Sequence, residues 1–114
     1  MITAIALSGA GALFHNLREG FSLLAGETAP ALVATVALIV AWWRTSGAAL
    51  WWLTSAWVGL NLMVGAILSV IPLPILPFVP DQSTGHYLSH VIYGLTQLPA
   101  VWALWITRPR RVYA

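Results

Sequence analysis

The sequence predicts an all-α integral membrane protein, a four-transmembrane-helix bundle that occupies residues 1–114 as a single membrane domain. Hydrophobic residues make up 60% of the 114 residues and charged residues only 7%, whereas soluble domains carry roughly 25% charged residues. The apolar residues fall into four stretches that short polar or proline-rich connections separate. Because a soluble chain of this length cannot hide so much apolar surface, we expect a lipid bilayer around it.

The first predicted helix covers about residues 2–24. Its purely apolar part ends at Phe14, and His15-Asn16-Leu17-Arg18-Glu19 follows. A spanning helix needs about 20 residues, so either this polar stretch lies in the outer part of the bilayer or the start is a cleaved signal peptide. A signal peptide opens with basic residues, and nothing before Arg18 is charged, which favours a retained helix. Small residues that allow close helix packing lead into the stretch: Ala4, Ser8, Gly11 and Ala12.

The second and third helices are predicted over residues 28–44 and 48–71. Thr28 is a candidate N-cap, and Pro30 is tolerated in the first helical turn. The connection between the two helices is a tight hairpin at residues 44–47. Tryptophans prefer the membrane–water boundary, and six of them mark one membrane surface: Trp42, Trp43, Trp51, Trp52, Trp102 and Trp105.

A proline-rich outer loop is predicted between helices 3 and 4. Four prolines within residues 72–80 cannot continue a helix, because each lacks a backbone donor. The fourth helix is predicted over residues 84–107, with Ser83 or Thr84 as its cap and a bend near Pro99.

Arginine placement predicts the orientation of the bundle. Arg44, Arg108, Arg110 and Arg111 fall on one side and only Arg18 on the other, so both termini are expected in the cytoplasm. The expected location is the inner (plasma) membrane, as a multi-pass protein. The exclusive use of arginine as the basic residue indicates a GC-rich, bacterial genome. A cluster of three C-terminal arginines suits membrane orientation better than nucleic-acid binding.

Polar residues predict an outward-facing His/Glu/Arg site in the outer half of the bundle. His86, His90, Tyr93 and Gln97 recur at spacings of four, three and four, so they share one face of helix 4. Ionisable groups in apolar helices mark ligand sites or ion pathways. The residues predicted for a ligand site or ion pathway are His15, Arg18, Glu19, Glu27, Asn61, Tyr93 and Gln97.

Three chemistries compete for this site. A transition-metal site would use His86, His90 and His15, since neutral imidazole suits zinc, copper, iron or nickel. A haem b would take His15 and His90 as axial ligands from two helices. A proton or ion pathway would use the glutamates and histidines as relay groups.

A purely structural interpretation stands beside these three. In it Arg18 pairs with Glu19 or Glu27, while Asn61 and the polar groups of helix 4 form hydrogen bonds within the bundle.

The function that the sequence favours is transport or binding of a small solute, a proton or a metal ion. The alternatives are a non-catalytic accessory or assembly subunit of a larger membrane complex, and a haem- or metal-binding membrane redox protein. No nucleophile, metalloprotease or phosphate-loop motif is present, so an enzyme is disfavoured. Small-residue helix faces further predict a homo-oligomer or a place in a membrane complex.

In size and four-helix layout, and in a glutamate (Glu19, beside Gly20-Phe21) at the end of the first helix, the chain resembles the small multidrug exporters. The resemblance covers architecture alone. It implies a four-helix membrane protein and assigns a role to no residue.

Overall fold

The computed structural model describes residues 1–109, and these residues contain only helices and irregular connections. Arg110 and Arg111, predicted on the cytoplasmic side, lie outside the described residues. Helix α1 is Ile2–Arg18, α2 is Ala29–Arg44, α3 is Ala48–Gly59 and α4 is Thr84–Ile106. Helix α3 continues as a π-helix, Leu60–Ile67, and then as a short 3-10 turn, Leu68–Val70. For residues 1–109 the prediction of an all-α chain is therefore confirmed.

The prediction of four transmembrane spans is wrong. Within residues 1–109, only the continuous helical stretch Ala48–Val70 is long and apolar enough to cross a membrane, with a mean hydropathy of 1.7 over its most apolar window. Helix α1 has 17 residues and α2 has 16, which at about 1.5 Å per residue fall short of the roughly 30 Å hydrocarbon layer. Helix α4 has the length, 23 residues, but its polar residues lower its hydropathy. The multi-pass topology and the resemblance to multidrug exporters lose their basis.

Helix α1 ends six residues earlier than predicted because Gly20 terminates it. Gly20 adopts a left-handed backbone conformation (φ 88°). Its N–H donates to the carbonyl of Leu17, and the N–H of Phe21 donates to the carbonyl of Asn16. These two bonds form a Schellman motif, which closes helix C-termini at glycine. The polar stretch therefore lies at the end of α1 and not inside a longer helix.

Close packing of α1 against α2 and α4 fixes the position of the C-terminal end of α1. Gly9 and Gly11 are the contact points, since a Cβ at Gly9 would lie 2.4 Å from Thr35 Cγ2 and one at Gly11 would lie 1.7 Å from Thr96 Oγ1. Only glycine permits such an approach. The antiparallel α1–α4 packing brings the C-terminus of α1 beside the N-terminal half of α4.

The start of α4 is fixed by Ser83, one of the two predicted caps. The Ser83 hydroxyl accepts a hydrogen bond from the His86 N–H at 3.2 Å, which confirms Ser83 as the N-cap. Pro99 lies inside α4, and the helix continues through it to Ile106. At the other end of the molecule the Trp51 indole donates to the carbonyl of Leu104 at 2.9 Å, which ties α3 to α4.

Candidate metal centre

Three imidazoles, from the end of α1 and the start of α4, converge in one cluster. His15, His86 and His90 each present one ligand-capable nitrogen, and these three atoms all lie within 4.8 Å of one another. His15 Nε2 and His90 Nε2 are 2.9 Å apart. An ion bound tetrahedrally at 2.0–2.1 Å sets its nitrogens about 3.3 Å apart, a value between these two distances. The predicted metal ligands are thus assembled by the fold.

Each imidazole has an oxygen atom beside its Nδ1. His15 Nδ1 lies 3.1 Å from Asn16 Oδ1, and His90 Nδ1 lies 3.1 Å from the carbonyl oxygen of Ala66. His86 Nδ1 lies 3.1 Å from Glu19 Oε2. Metal-binding histidines commonly donate their second ring N–H to a carboxylate, a carbonyl or water, and this fixes the ring and its tautomer. In His15 and His90 this arrangement leaves Nε2 for a ligand.

The amide of Asn16 is itself oriented by the protein. Asn16 Nδ2 donates to the carbonyl of Glu27 at 3.0 Å and approaches Thr28 Oγ1 at 3.3 Å. The amide oxygen must therefore face His15, and an oxygen can only accept a hydrogen bond. Asn16 consequently holds the proton of His15 on Nδ1 and ties the end of α1 to the start of α2.

His86 is the member of the cluster whose hydrogen-bonding capacity is unused. Its side chain is 9% exposed, and among residues 1–109 neither ring nitrogen has an aligned hydrogen-bond partner. The 3.1 Å approach to Glu19 is an ion-pair distance without hydrogen-bond alignment. Leaving a buried polar atom unsatisfied costs roughly 1–3 kcal/mol. A further partner for the ring nitrogens of His86 would therefore stabilise the protein.

The electrostatics of the site favour neutral imidazole at its buried end. Burial lowers the pKa of His90, and the neighbouring His15 and His86 lower it further. Neutral imidazole is the form that binds a metal. Burial also raises the pKa of Tyr93 to about 12, so this phenol remains a hydrogen-bond donor. At the margin of the site, the Ser83 hydroxyl lowers the pKa of Asp81 by its hydrogen bond.

The cluster opens into a cavity of about 770 Å³ between α1, α2, the π-helix and α4. All three histidines and Glu19 line it, together with Tyr93 and Asn61. Much of the remaining wall is apolar and includes Phe21, Ala31, Trp57, Leu60, Val64 and Phe78. Phe78 comes from the proline-rich connection, which therefore covers the bundle at this point.

Asn61, Tyr93 and Gln97 support the fold around the cluster. Tyr93 donates to Asn61 Oδ1 at 2.5 Å, and Asn61 Nδ2 donates to the carbonyl of Trp57 at 2.8 Å. The bond from Tyr93 to Asn61 joins α4 to the π-helix, as the structural interpretation of Asn61 expects. Gln97 is fully buried and accepts from the Ser8 hydroxyl, while its amide donates to the carbonyl of Ser8 at 3.2 Å. Gln97 is not part of the cavity wall.

The predicted pairing of Arg18 with Glu19 or Glu27 is wrong. Arg18 is exposed, and the only ion pair among the described residues joins His86 to Glu19. The guanidinium lies instead over the first turn of α4, where its Nη2 is 2.7 Å from the position that a Cβ on Gly85 would occupy. Because α1 ends at Arg18, this side chain reaches solvent and needs no buried partner. Glu27 is exposed at the cavity margin.

The haem interpretation does not fit the cluster. A bis-histidine haem requires the iron and its macrocycle between the two axial nitrogens. His15 Nε2 and His90 Nε2 are in direct contact at 2.9 Å, and the rings pack edge to face with centroids 4.3 Å apart. This spacing leaves room for an ion and none for a porphyrin.

The sequence-based prediction missed two groups that contact the histidines, the side chain of Asn16 and the carbonyl of Ala66. Asn16 belongs to the polar stretch at the end of α1, and its position next to His15 is the signal that identifies it. The carbonyl of Ala66 has no signal in the sequence, because a backbone group is available at every residue. It belongs to the π-helix Leu60–Ile67, and π-helical turns occur frequently at functional sites.

No protein-family model, no curated protein and no solved structure matches this chain.

Proposed function

We propose that this protein binds one divalent transition-metal ion through His15, His86 and His90. The observation that carries the proposal is the convergence of three imidazole nitrogens within 4.8 Å of one another. His15 and His90 each have an oxygen 3.1 Å from Nδ1, which leaves Nε2 as their ligand atom, and neither ring nitrogen of His86 has an aligned partner among the described residues. Three such nitrogens on two helices form the donor set of a zinc site that keeps one position open.

The contact between His15 and His90 supports a cation in the cluster. In their neutral forms, His15 donates its Nδ1–H to the amide oxygen of Asn16, and His90 donates its Nδ1–H to the carbonyl of Ala66. The Nε2 of each ring then carries a lone pair and no proton. Two such lone pairs repel each other at the observed 2.9 Å unless a positive charge lies between them or beside them. A single proton would satisfy the pair, but it would leave His86 unpartnered. A metal ion satisfies all three rings, which favours metal binding over the proton-pathway alternative.

The donor types narrow the choice of metal. Imidazole suits zinc, copper(II), nickel and iron(II), whereas copper(I) prefers thiolate and thioether ligands. The chain contains no cysteine, and no methionine is among the residues that line the cavity. Zinc is the appropriate first probe, because it has no geometric preference from d-electrons and accepts three histidines with an open position.

The apolar stretch Ala48–Val70 supports association of this protein with a lipid bilayer, and 22% of its most apolar window is buried within the protein. The remaining apolar side chains require lipid or a partner to leave water. We expect the protein in the membrane fraction after an alkaline wash, and its release into the supernatant would contradict this part of the proposal. Homo-oligomer formation, a role as an accessory subunit and the inner (plasma) membrane location stay predictions.

Equilibrium dialysis of the purified protein against Zn²⁺ tests the proposal. We expect one zinc ion per chain, with affinity reduced at least about 100-fold in His15→Ala, His86→Ala and His90→Ala, because each variant removes one of three ligands. Glu27→Gln is the control, since it changes an exposed carboxylate at the same cavity. A wild-type protein that binds no zinc, or histidine variants that bind it as tightly as wild type, would overturn the proposal.

A further inference from the structure

We infer that the metal centre takes its fourth ligand from outside the protein, and that this ligand is a monoanionic carboxylate carrying an apolar chain. The inference rests on the proposed metal function and extends it from the ion to the molecule that the ion binds. Three features of the cavity lead to it: an open coordination position, an unbalanced positive charge and an apolar wall.

The open position follows from the composition of the cluster. Among residues 1–109, only His15, His86 and His90 form a group of three or more such residues whose ligand atoms all lie within 4.8 Å of one another. Glu19 stays outside this group, because one of its oxygens faces His86 Nδ1 at 3.1 Å and the other lies 3.4 Å from the Ser89 hydroxyl. Metal sites with three protein ligands bind water or substrate at the fourth position. Since all three histidines line the cavity, that position faces the cavity.

The charge of the loaded site selects an anion. A divalent ion held by three neutral imidazoles keeps both of its charges, and the carboxylate of Glu19 balances one of them. One positive charge then remains beside a largely apolar cavity, where an unpaired charge is costly. Glu27 and Asp81 also line the cavity, but both are exposed, so water screens their charges. A monoanion bound to the metal neutralises the remaining charge.

The wall of the cavity selects an apolar chain on that anion. The cavity of about 770 Å³ falls in the range of about 300–1,000 Å³ typical of small-molecule sites. Side chains from α2, the π-helix and the proline-rich connection supply much of its apolar surface, including Ala31, Leu60, Val64 and Phe78. Leu60, Val64 and Phe78 are at least half exposed, so an aliphatic chain that covers them removes apolar surface from water. Each methylene that leaves water raises affinity up to about fourfold.

Trp57 adds a polar contact on the same wall. Its indole Nε1 is buried and has no acceptor among the described residues, and Trp57 lines the cavity. A buried donor in this state is available to an acceptor on a molecule that occupies the cavity.

The test uses the Co²⁺-loaded protein, whose visible d–d absorption reports the ligands of the ion. Three probes are used. Sodium octanoate supplies a carboxylate with an apolar chain, sodium acetate supplies the carboxylate without that chain, and 1-octanol supplies the chain without a carboxylate. We expect octanoate to shift the d–d band at a concentration at least about tenfold lower than acetate does. We expect 1-octanol to leave the band unchanged.

A cavity-filling variant tests where the apolar chain of the carboxylate binds. Ala31→Phe fills the apolar wall from α2, and we expect it to weaken octanoate binding at least about tenfold while the Co²⁺ affinity stays the same. Val33→Phe is the matched control, because Val33 lies on the same helix, is 68% exposed and does not line the cavity.

Each outcome separates the inference from the proposed function. Octanoate and acetate acting at equal concentrations, or neither shifting the band of the cobalt-loaded protein, would overturn the inference and leave metal binding intact. A band that 1-octanol shifts as octanoate does would also overturn it. A protein that develops no d–d band with Co²⁺ would overturn the proposed function itself. If Ala31→Phe fails to fold, the comparison of octanoate with acetate still decides the matter.

Discussion

His15 Nε2 lies 2.9 Å from His90 Nε2, although 75 positions separate the two residues in the sequence. Each ring is held from its far side by a different element. Asn16 links the ring of His15 to the start of α2, and the carbonyl of Ala66 links the ring of His90 to the π-helix. The contact is therefore a property of the whole helical assembly, and any change that separates α1 from α4 will separate the two nitrogens.

Removing the charge of Glu19 should weaken metal binding without removing a ligand. Glu19→Gln replaces the carboxylate next to His86 Nδ1 by a neutral amide, and loss of such a partner typically costs 10–100-fold in metal affinity. Zinc affinity measured by competition with a chromophoric chelator gives the result. Glu27→Gln is the matched control and should bind zinc like wild type. Equal losses in the two variants would show a general charge effect and contradict the specific role of Glu19.

Tyr93→Phe should reduce stability and leave the metal affinity nearly unchanged. The phenol donates to Asn61 Oδ1 in the buried α4–π-helix interface, so its removal leaves an acceptor unsatisfied at a cost of roughly 1–3 kcal/mol. Denaturant unfolding measures the loss. Tyr87→Phe removes a phenol that is 42% exposed on the same helix, and it should change the unfolding free energy by less than about 0.5 kcal/mol. A large loss of zinc affinity in Tyr93→Phe would place the phenol in the metal site itself.

Gly11→Ala should strongly destabilise the fold. A Cβ at this position would lie 1.7 Å from Thr96 Oγ1, so α1 and α4 must move apart, at a cost of at least about 2 kcal/mol. The same variant should lose zinc affinity, because the displaced helices carry different ligands. Gly59→Ala is the control: it is also helical, and a Cβ there meets nothing within 4 Å. Gly59→Ala is expected to raise stability by up to about 1 kcal/mol. Similar stabilities for the two variants would contradict the packing described.

Zinc should stabilise the folded protein in proportion to its occupancy. At a zinc concentration 100 times the dissociation constant, binding to the native state alone adds about 2.7 kcal/mol to the free energy of unfolding. Thermal unfolding with and without zinc measures this shift, and His90→Ala should show at most about 0.4 kcal/mol at the same zinc concentration, since its affinity is at least about 100-fold lower. An equal upward shift in His90→Ala would indicate binding elsewhere on the chain.

The proximity of the three histidines could be predicted from the sequence, because their placement depends on simple periodicity. His86 and His90 are four residues apart, so they share a face of α4. His15 joins them because the small residues of α1 allow close antiparallel packing. The Ser83 cap was predictable for a similar reason, since a hydroxyl residue next to an apolar helix commonly accepts the first free N–H.

The number of membrane spans could not be predicted from apolar composition, because composition does not fix where a helix ends. Gly20 terminates α1 through a left-handed turn, and α1 is then too short to cross a bilayer. The partner of Arg18 was mispredicted for the same reason, since the side chain reaches solvent once the helix ends there. The Ala66 carbonyl was not predictable, because the π-helix that presents it depends on tertiary packing.

X-ray absorption spectroscopy of the zinc-loaded protein tests the central claim most directly. Three imidazoles predict nitrogen neighbours of zinc at about 2.0–2.1 Å, with the outer-sphere scattering pattern of imidazole rings. That pattern should correspond to three rings in the wild-type protein and to two in His86→Ala loaded at high zinc. A spectrum with oxygen neighbours alone and no imidazole scattering would contradict the assignment of His15, His86 and His90 as a metal centre.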